Sequence, residues 1–214
     1  MVVVDPTLDL EFSILGGGAP CVIGCDEVGR GALAGPVAVG FAVIDATVLP
    51  LPRGLRDSKL LSEPRRQVLA PLAIAWALHS AVGLASAQEV DALGIMAALG
   101  LAGKRALAEL HAAGVDIQAS VVLLDGGDDW LNKALNTPLN VVTRVRADQD
   151  CGSVAAASVI AKVHRDALMI EADAVHPGYG WATNKGYGSA EHMGAIAELG
   201  ANDLHRKSWL KISA

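Results

Sequence analysis

Cysteine is scarce in this 214-residue chain: Cys21, Cys25 and Cys151 are the three present, too few and too oddly spaced for a disulfide framework. No Cys or His pairs complete a zinc site, so the cysteines read as small core residues and a reduced, cytoplasmic setting is expected. Positive charge is also in deficit. Lys and Arg number 17 against 23 Asp and Glu, a formal net charge of −6, which excludes a grip on nucleic acid by bulk electrostatics and leaves only local contact. Acids gathered around divalent ions would make such a local site far less negative than the residue count. A basic start and a long apolar run are both missing from Met1 to Pro20, so no secretory signal is expected. Val68 to Ala87 carries no Asp, Glu, Lys or Arg. Its Pro71, His79, serines and many alanines nevertheless argue against a membrane span and for a helix end followed by a core strand.

Aromatic residues make up 4% of the chain, but 52% is hydrophobic, enough for one sizeable core. A single domain over residues 21–214, preceded by an N-terminal segment of residues 1–20, is expected. Cys21 to Cys25, Val37 to Ile44 and the stretch around Ala75 to Leu84 read as three early strands. Ser86 and Glu89 have capping-box spacing, and apolar residues from Ile95 to Leu110 recur with helical period before Gly114, which predicts one long amphipathic helix. Ser120 to Leu124 and Asn140 to Val145 read as strands, Ser153 to about Ala172 as an alanine-rich helix, and Ala190 to Leu199 as a last helix between Ser189 and Gly200. A meander passing into strand–helix alternation indicates an α/β domain with a central mixed sheet flanked by helices.

Acids stand where several of these strands finish. Asp26 and Glu27 follow the first and lead into Gly29-Arg30-Gly31; Asp125 follows Val121 to Leu124; Asp148 follows Val141 to Val145. Carboxyl ends of parallel strands lie at one edge of a sheet. Acids converging there suit two divalent ions about 3.5–4 Å apart that clamp attacking water and leaving oxygen in phosphodiester hydrolysis. Adjacent side chains on a strand point to opposite faces, so Glu27 joins Asp26 only if the strand ends or bends there, or through its carbonyl. Taken singly, an Asp before Gly is also an ordinary turn residue.

As a set, these residues resemble a known family. Gly24 to Gly31 with Leu33-Ala34-Gly35-Pro36-Val37 is similar to the opening signature of ribonuclease HII. Asp57-Ser58-Lys59-Leu60-Leu61, Glu89-Val90-Asp91, Leu124-Asp125-Gly126, Ala155 to Val163 with Arg165-Asp166, Asn184 to Gly188 and His205 to Trp209 follow in the family's order. The resemblance implies a ribonuclease H-like fold with a five-stranded sheet and a helical C-terminal segment. It implies metal-dependent endonucleolytic cleavage of RNA in RNA·DNA hybrids and of single ribonucleotides embedded in duplex DNA. By position, Asp26, Glu27, Asp125 and Asp148 are the implied catalytic ligands of two Mg²⁺ or Mn²⁺ ions, with Asp150 the near alternative to Asp148.

Telling RNA from DNA requires contact with the 2′-hydroxyl. The resemblance assigns it to Gly29-Arg30-Gly31 and Tyr187; Ser58, Lys59 and Lys185 are candidates for phosphate contact. Lys162 and Arg165 read as surface decoration of a helix, and the histidines as hydrogen-bonding residues that this chemistry does not use. Val28, Ala32 and Trp209 stand where the family pattern has alanine, proline and phenylalanine, and Gln149 to Gly152 is atypical. Rival readings are another metal-dependent nuclease on the same fold and a non-catalytic hybrid-binding module. A monomer acting on hybrid and ribonucleotide-containing duplexes, without membrane attachment, is the expectation.

Overall fold

A computed structural model of the chain describes residues 5–210. Strands β1 (Val22–Val28), β2 (Val37–Ile44), β3 (His79–Ala85), β4 (Val121–Asp125) and β5 (Asn140–Arg144) form one sheet in the order β3-β2-β1-β4-β5. β1, β2 and β3 are antiparallel neighbours, whereas β4 and β5 continue the sheet parallel to β1. The mixed sheet and its early meander are as the apolar pattern predicts. Helices are α1 (Asp9–Gly16), α2 (Glu63–Trp76), α3 (Ala87–Leu93), α4 (Ile95–Ala112), α5 (Ala147–Asp150), α6 (Gly152–Val175), α7 (Trp181–Asn184) and α8 (Ala190–Leu199). Among the described residues no helix is long and apolar enough to cross a membrane; the uncharged stretch after Val68 is the end of α2 followed by β3.

The pleat sorts side chains between two layers. Ile23, Cys25, Val39, Phe41, Val122 and Leu124 meet Leu99, Ala102, Ala106 and Leu110 of α4. On the other face Ala42 packs with α2 and α6, and Val22, Ile44 and Leu123 pack with Val154. Small residues let α6 come very close. A Cβ on Gly24 would sit 2.3 Å from the Ser153 carbonyl carbon, and one on Gly40 would sit 2.7 Å from the Ala157 oxygen. The start of α6 and its alanine run are therefore a close-approach surface for β1, which carries Asp26 and Glu27, and for its neighbour β2.

One expected helix differs. The single long helix after Ser86 is two, because Gly94, at φ 78°, breaks the chain between α3 and α4; the predicted Ser86–Glu89 capping box is present. The N-terminal segment also packs onto the domain. Leu8, Leu10 and Ile14 join the cluster around Val22 and Leu123, and the buried Glu11 carboxylate accepts from Ser153 N–H at 2.9 Å, at the start of α6. Residues 1–4 of that segment lie outside the described residues.

Candidate active site

β1 and β4 run parallel with Cys25 beside Leu124. One further step of that register sets Asp26 beside Asp125, so two acids separated by about a hundred residues of chain become neighbours at the same sheet edge. Both belong to the face covered by α6, being in phase with Gly24 and with Leu123. Asp26 is 2% exposed. Its Oδ1 accepts from the Glu27 N–H at 2.8 Å, while Oδ2 is buried with no partner among the described residues. Burial drives this carboxyl up to about 8, aided by the charges of Glu27 and Asp125 and opposed by the Ser158 hydroxyl and Lys59.

Glu27 alternates to the other face, as pleating requires, but β1 ends at Val28 and Glu27 still borders the same cavity as Asp26 and Asp125. Its Oε1 is 3.4 Å from Arg30 Nη1. Asp148 corrects the expectation of a third strand-end acid. β5 stops at Arg144, Arg146 turns the chain with φ 63°, and Asp148 arrives on the short helix α5. From there its backbone N–H donates to Asp125 Oδ1 at 3.5 Å. Asp125 and Asp148 are both raised, by burial first; the neighbouring Asp148 charge adds to the effect at Asp125, and Lys59 opposes it at Asp148. Asp150 is turned elsewhere, with Oδ2 2.6 Å from Arg144 Nη2.

Cations interleave with the acids. Lys59 sits on a 3₁₀ turn capped by the buried Asp57, whose Oδ1 accepts from the Lys59 backbone N–H at 2.9 Å, and its Nζ lies 3.0 Å from Asp148 Oδ2 and 3.9 Å from Asp57 Oδ1. Burial works against the ammonium, but Asp26, Asp148 and Asp57 outweigh it and raise its pKa. Among the described residues no three His, Cys, Asp or Glu side chains stand ready as a ligand set for an ion. At Asp148 the Lys59 ammonium neutralises the charge instead.

The cavity, about 190 Å³, is lined by Asp26, Glu27, Asp125, Gly29, Arg30, Gly31, Ser58, Lys59, Lys162 and Tyr187. Most of the expected set thus meets in one place. Ser58 is buried, its hydroxyl accepting from Ser158 at 2.9 Å. The Tyr187 hydroxyl accepts from Gly29 N–H at 3.2 Å, tying the tyrosine to the glycine loop. Lys185 departs from expectation: it is 6% exposed, and its ammonium donates to the Ala182 carbonyl and lies 3.4 Å from Glu63. It closes a turn at φ 53° and does not line the cavity.

Two readings of α6 are also corrected. Lys162 borders the cavity, 2.7 Å from Asp166 and 5.7 Å from the Tyr187 ring centre. Arg165 is fully buried and donates to the carbonyls of Pro36, Lys185 and Ala34. The i, i+4 spacing of Lys162 and Asp166 and the helical phase of Ser158, Ala161, Arg165 and Met169 were signals for both. Arg206, also fully buried, was marked only by its place in the His205 to Trp209 block, because the carbonyls its guanidinium holds lie more than 170 residues earlier.

A family model described as ribonuclease HII matches residues 23–212. A ribonuclease HII of Streptomyces avermitilis is 46% identical over 210 residues, covering 98% of this chain and 85% of the relative. One of Paracoccus denitrificans is 42% identical over 210 residues, covering 97% and 93%. The crystal structure of a ribonuclease H2 from Pyrococcus horikoshii superposes with a TM-score of 0.68 at 25% identity, over 88% of this chain and 93% of that one. With this match spanning nearly every element, and with the fold and acidic edge described above, the chain belongs to the ribonuclease HII family and is a nuclease of the ribonuclease H type, hydrolysing RNA paired with DNA.

Proposed function

We propose that the enzyme is metal-dependent, that Asp26, Glu27, Asp125 and Asp148 hold two Mg²⁺ or Mn²⁺ ions, and that it nicks duplex DNA on the 5′ side of a single embedded ribonucleotide as well as cutting longer hybrids. The buried, unpartnered Oδ2 of Asp26 carries this reading. A desolvated carboxylate oxygen without a donor is expensive to keep unless a proton or a cation completes it; the hard oxygen donors around it suit Mg²⁺ or Mn²⁺ in the proton's place. Bound ions would supply activation of water and neutralisation of charge on the leaving oxygen. The chain's own residues do the rest. Asp26, Asp125 and Asp148 present oxygens from two parallel strands and a short helix. Lys59 keeps Asp148 neutralised before loading and is free, on its flexible stem, to turn to a phosphate.

The Gly29-Arg30-Gly31 backbone approaches the sugar with no Cβ on Gly31, which faces open space, while Gly29, at φ 83°, leaves room for the Arg165 side chain, 2.0 Å from where its Cβ would stand. The Tyr187 ring, fixed through Gly29, meets the next sugar, where a 2′-hydroxyl would crowd it. Ser58, Lys59 and Lys162 are proposed phosphate contacts; Lys185 is reassigned to holding the turn that presents Tyr187. All these groups come from one chain, consistent with a monomer, and a cytoplasmic setting is proposed. The test is a labelled duplex with one ribonucleotide, incubated with Mg²⁺ or Mn²⁺. A nick immediately 5′ of the ribonucleotide, abolished by Asp125→Asn, is expected; cleavage that persists in that variant, or that proceeds equally in all-DNA duplex, refutes the assignment.

A further inference from the structure

Two fully buried arginines spend all their hydrogen bonds on backbone carbonyls around the glycine loop. Arg206 donates from Nη2 to Gly29 O at 2.7 Å, from Nη1 to Arg30 O at 2.9 Å, and from Nη2 and Nε to Gly35 O at 3.2 and 3.3 Å. Arg165 donates to Ala34 O at 3.0 Å, Pro36 O at 2.7 Å and Lys185 O at 2.9 Å. Burying a guanidinium is costly, and an apolar side chain of similar volume would fill the space more cheaply. What a planar fork adds is orientation: it fixes several carbonyls at once in one plane.

Orientation of the carbonyls determines orientation of the amides. No peptide bond in the described residues is cis, and in a trans peptide the C=O of one residue and the N–H of the next point in opposite directions. With the Gly29 and Arg30 carbonyls drawn inward to Arg206, the N–H groups of Arg30 and Gly31 are turned the other way, towards the cavity those residues line. Neither amide donates to a partner among the described residues, whereas the flanking Gly29 and Ala32 amides are taken by the Tyr187 hydroxyl and the Gly29 carbonyl. Successive outward N–H groups form a concave donor site for an electronegative oxygen.

We propose that Arg206 is a positioning residue for ribose recognition, aiming the Arg30 and Gly31 amides at the sugar, while Arg165 keeps the Tyr187 turn in register with them. This rests on the assignment of ribose reading to Gly29-Arg30-Gly31 and Tyr187. Arg206→Lys keeps the charge but cannot span three carbonyls. Affinities are to be measured in excess chelator at low salt, where nothing is cut, for two duplexes that differ by one 2′-hydroxyl. The wild type is expected to prefer the ribonucleotide duplex. Arg206→Lys should lose about fivefold of that preference, the size of one good hydrogen bond, with affinity for the all-DNA duplex within about twofold because phosphate contacts are untouched.

An unchanged preference in a folded Arg206→Lys overturns the clamp alone, whereas a wild type without any preference overturns the ribose reading beneath it. Hydrogen exchange of the Arg30 and Gly31 amides in the wild type gives a second test that needs no variant. The amides should slow with the ribonucleotide duplex and not with all-DNA duplex; equal response to both duplexes, or to neither, overturns the proposal.

Discussion

Asp26 is an acid held in a medium hostile to its charge. Folded and metal-free it titrates at about 8, against 3.8 for an ordinary aspartate. Between those values the folded state binds more protons than the unfolded one, so this group makes stability fall as pH rises through that window. Asp26→Asn should therefore raise the melting temperature of metal-free protein at pH 8, by roughly 2–4 °C for each kcal/mol relieved. It should also lower cleavage by more than about a hundredfold, as expected for a lost ligand of catalytic ions. A variant no more stable than wild type at pH 8 would show that Asp26 is not strained by burial. Metal binding should itself release a proton from this carboxyl, so saturation should need less Mg²⁺ at pH 8.5 than at pH 6.5, readable by titration calorimetry.

At the scale of the elements, the closeness of α6 to β1 decides whether the acids and Ser158 meet. Gly24→Ala places a methyl against the Ser153–Val154 backbone, which cannot yield as a side-chain tip would. A loss of about 1–3 kcal/mol in denaturant unfolding, with reduced cleavage, is expected; a neutral result would mean that α6 can ride outward freely. The C-terminal elements carry a second control. His192 Nδ1 lies 2.9 Å from the Tyr187 carbonyl, its Nε2 accepts from the Trp181 indole at 2.9 Å, and His205 Nε2 is 3.2 Å away. Burial lowers both imidazoles, His205 to about 4 from 6.5, with His192 adding to the effect. Their stabilisation is whole above pH 6.5 and lost as pH falls toward 4. His205→Gln should make the melting temperature less steep in pH across that range, and an identical slope would exclude the pair as its source.

For the whole molecule, a net charge of −6 and a small cluster of cavity cations set how nucleic acid is held. The binding constant should fall with salt only as steeply as a few phosphate contacts dictate, and Lys59→Ala should reduce the log–log slope by about 1. A slope of about ten contacts would point to a far larger basic surface than the one described. Removing divalent ions should abolish cleavage while far-UV circular dichroism stays native, because the clusters around the sheet are closed by apolar side chains without any ion.

Local chemistry alone determined a good deal. Apolar runs bounded by glycine and proline named the five strands, the Ser86–Glu89 pair named a helix start, and Asp26 and Asp125 were visible as acids at strand ends, because period and capping act over a few neighbouring residues. The break at Gly94 was less legible, since a glycine inside an apolar helical period can either continue a helix or turn it. Which acids meet was decided by tertiary structure: the parallel register of β1 and β4 sets Asp26 beside Asp125, the turn at Arg146 swings Asp148 in, and pairing with Arg144 keeps Asp150 out. The same holds for Lys185, Arg165 and Arg206. A basic side chain carries no sign of whether it will face a phosphate or a buried carbonyl, because that depends on desolvation by segments distant in the chain.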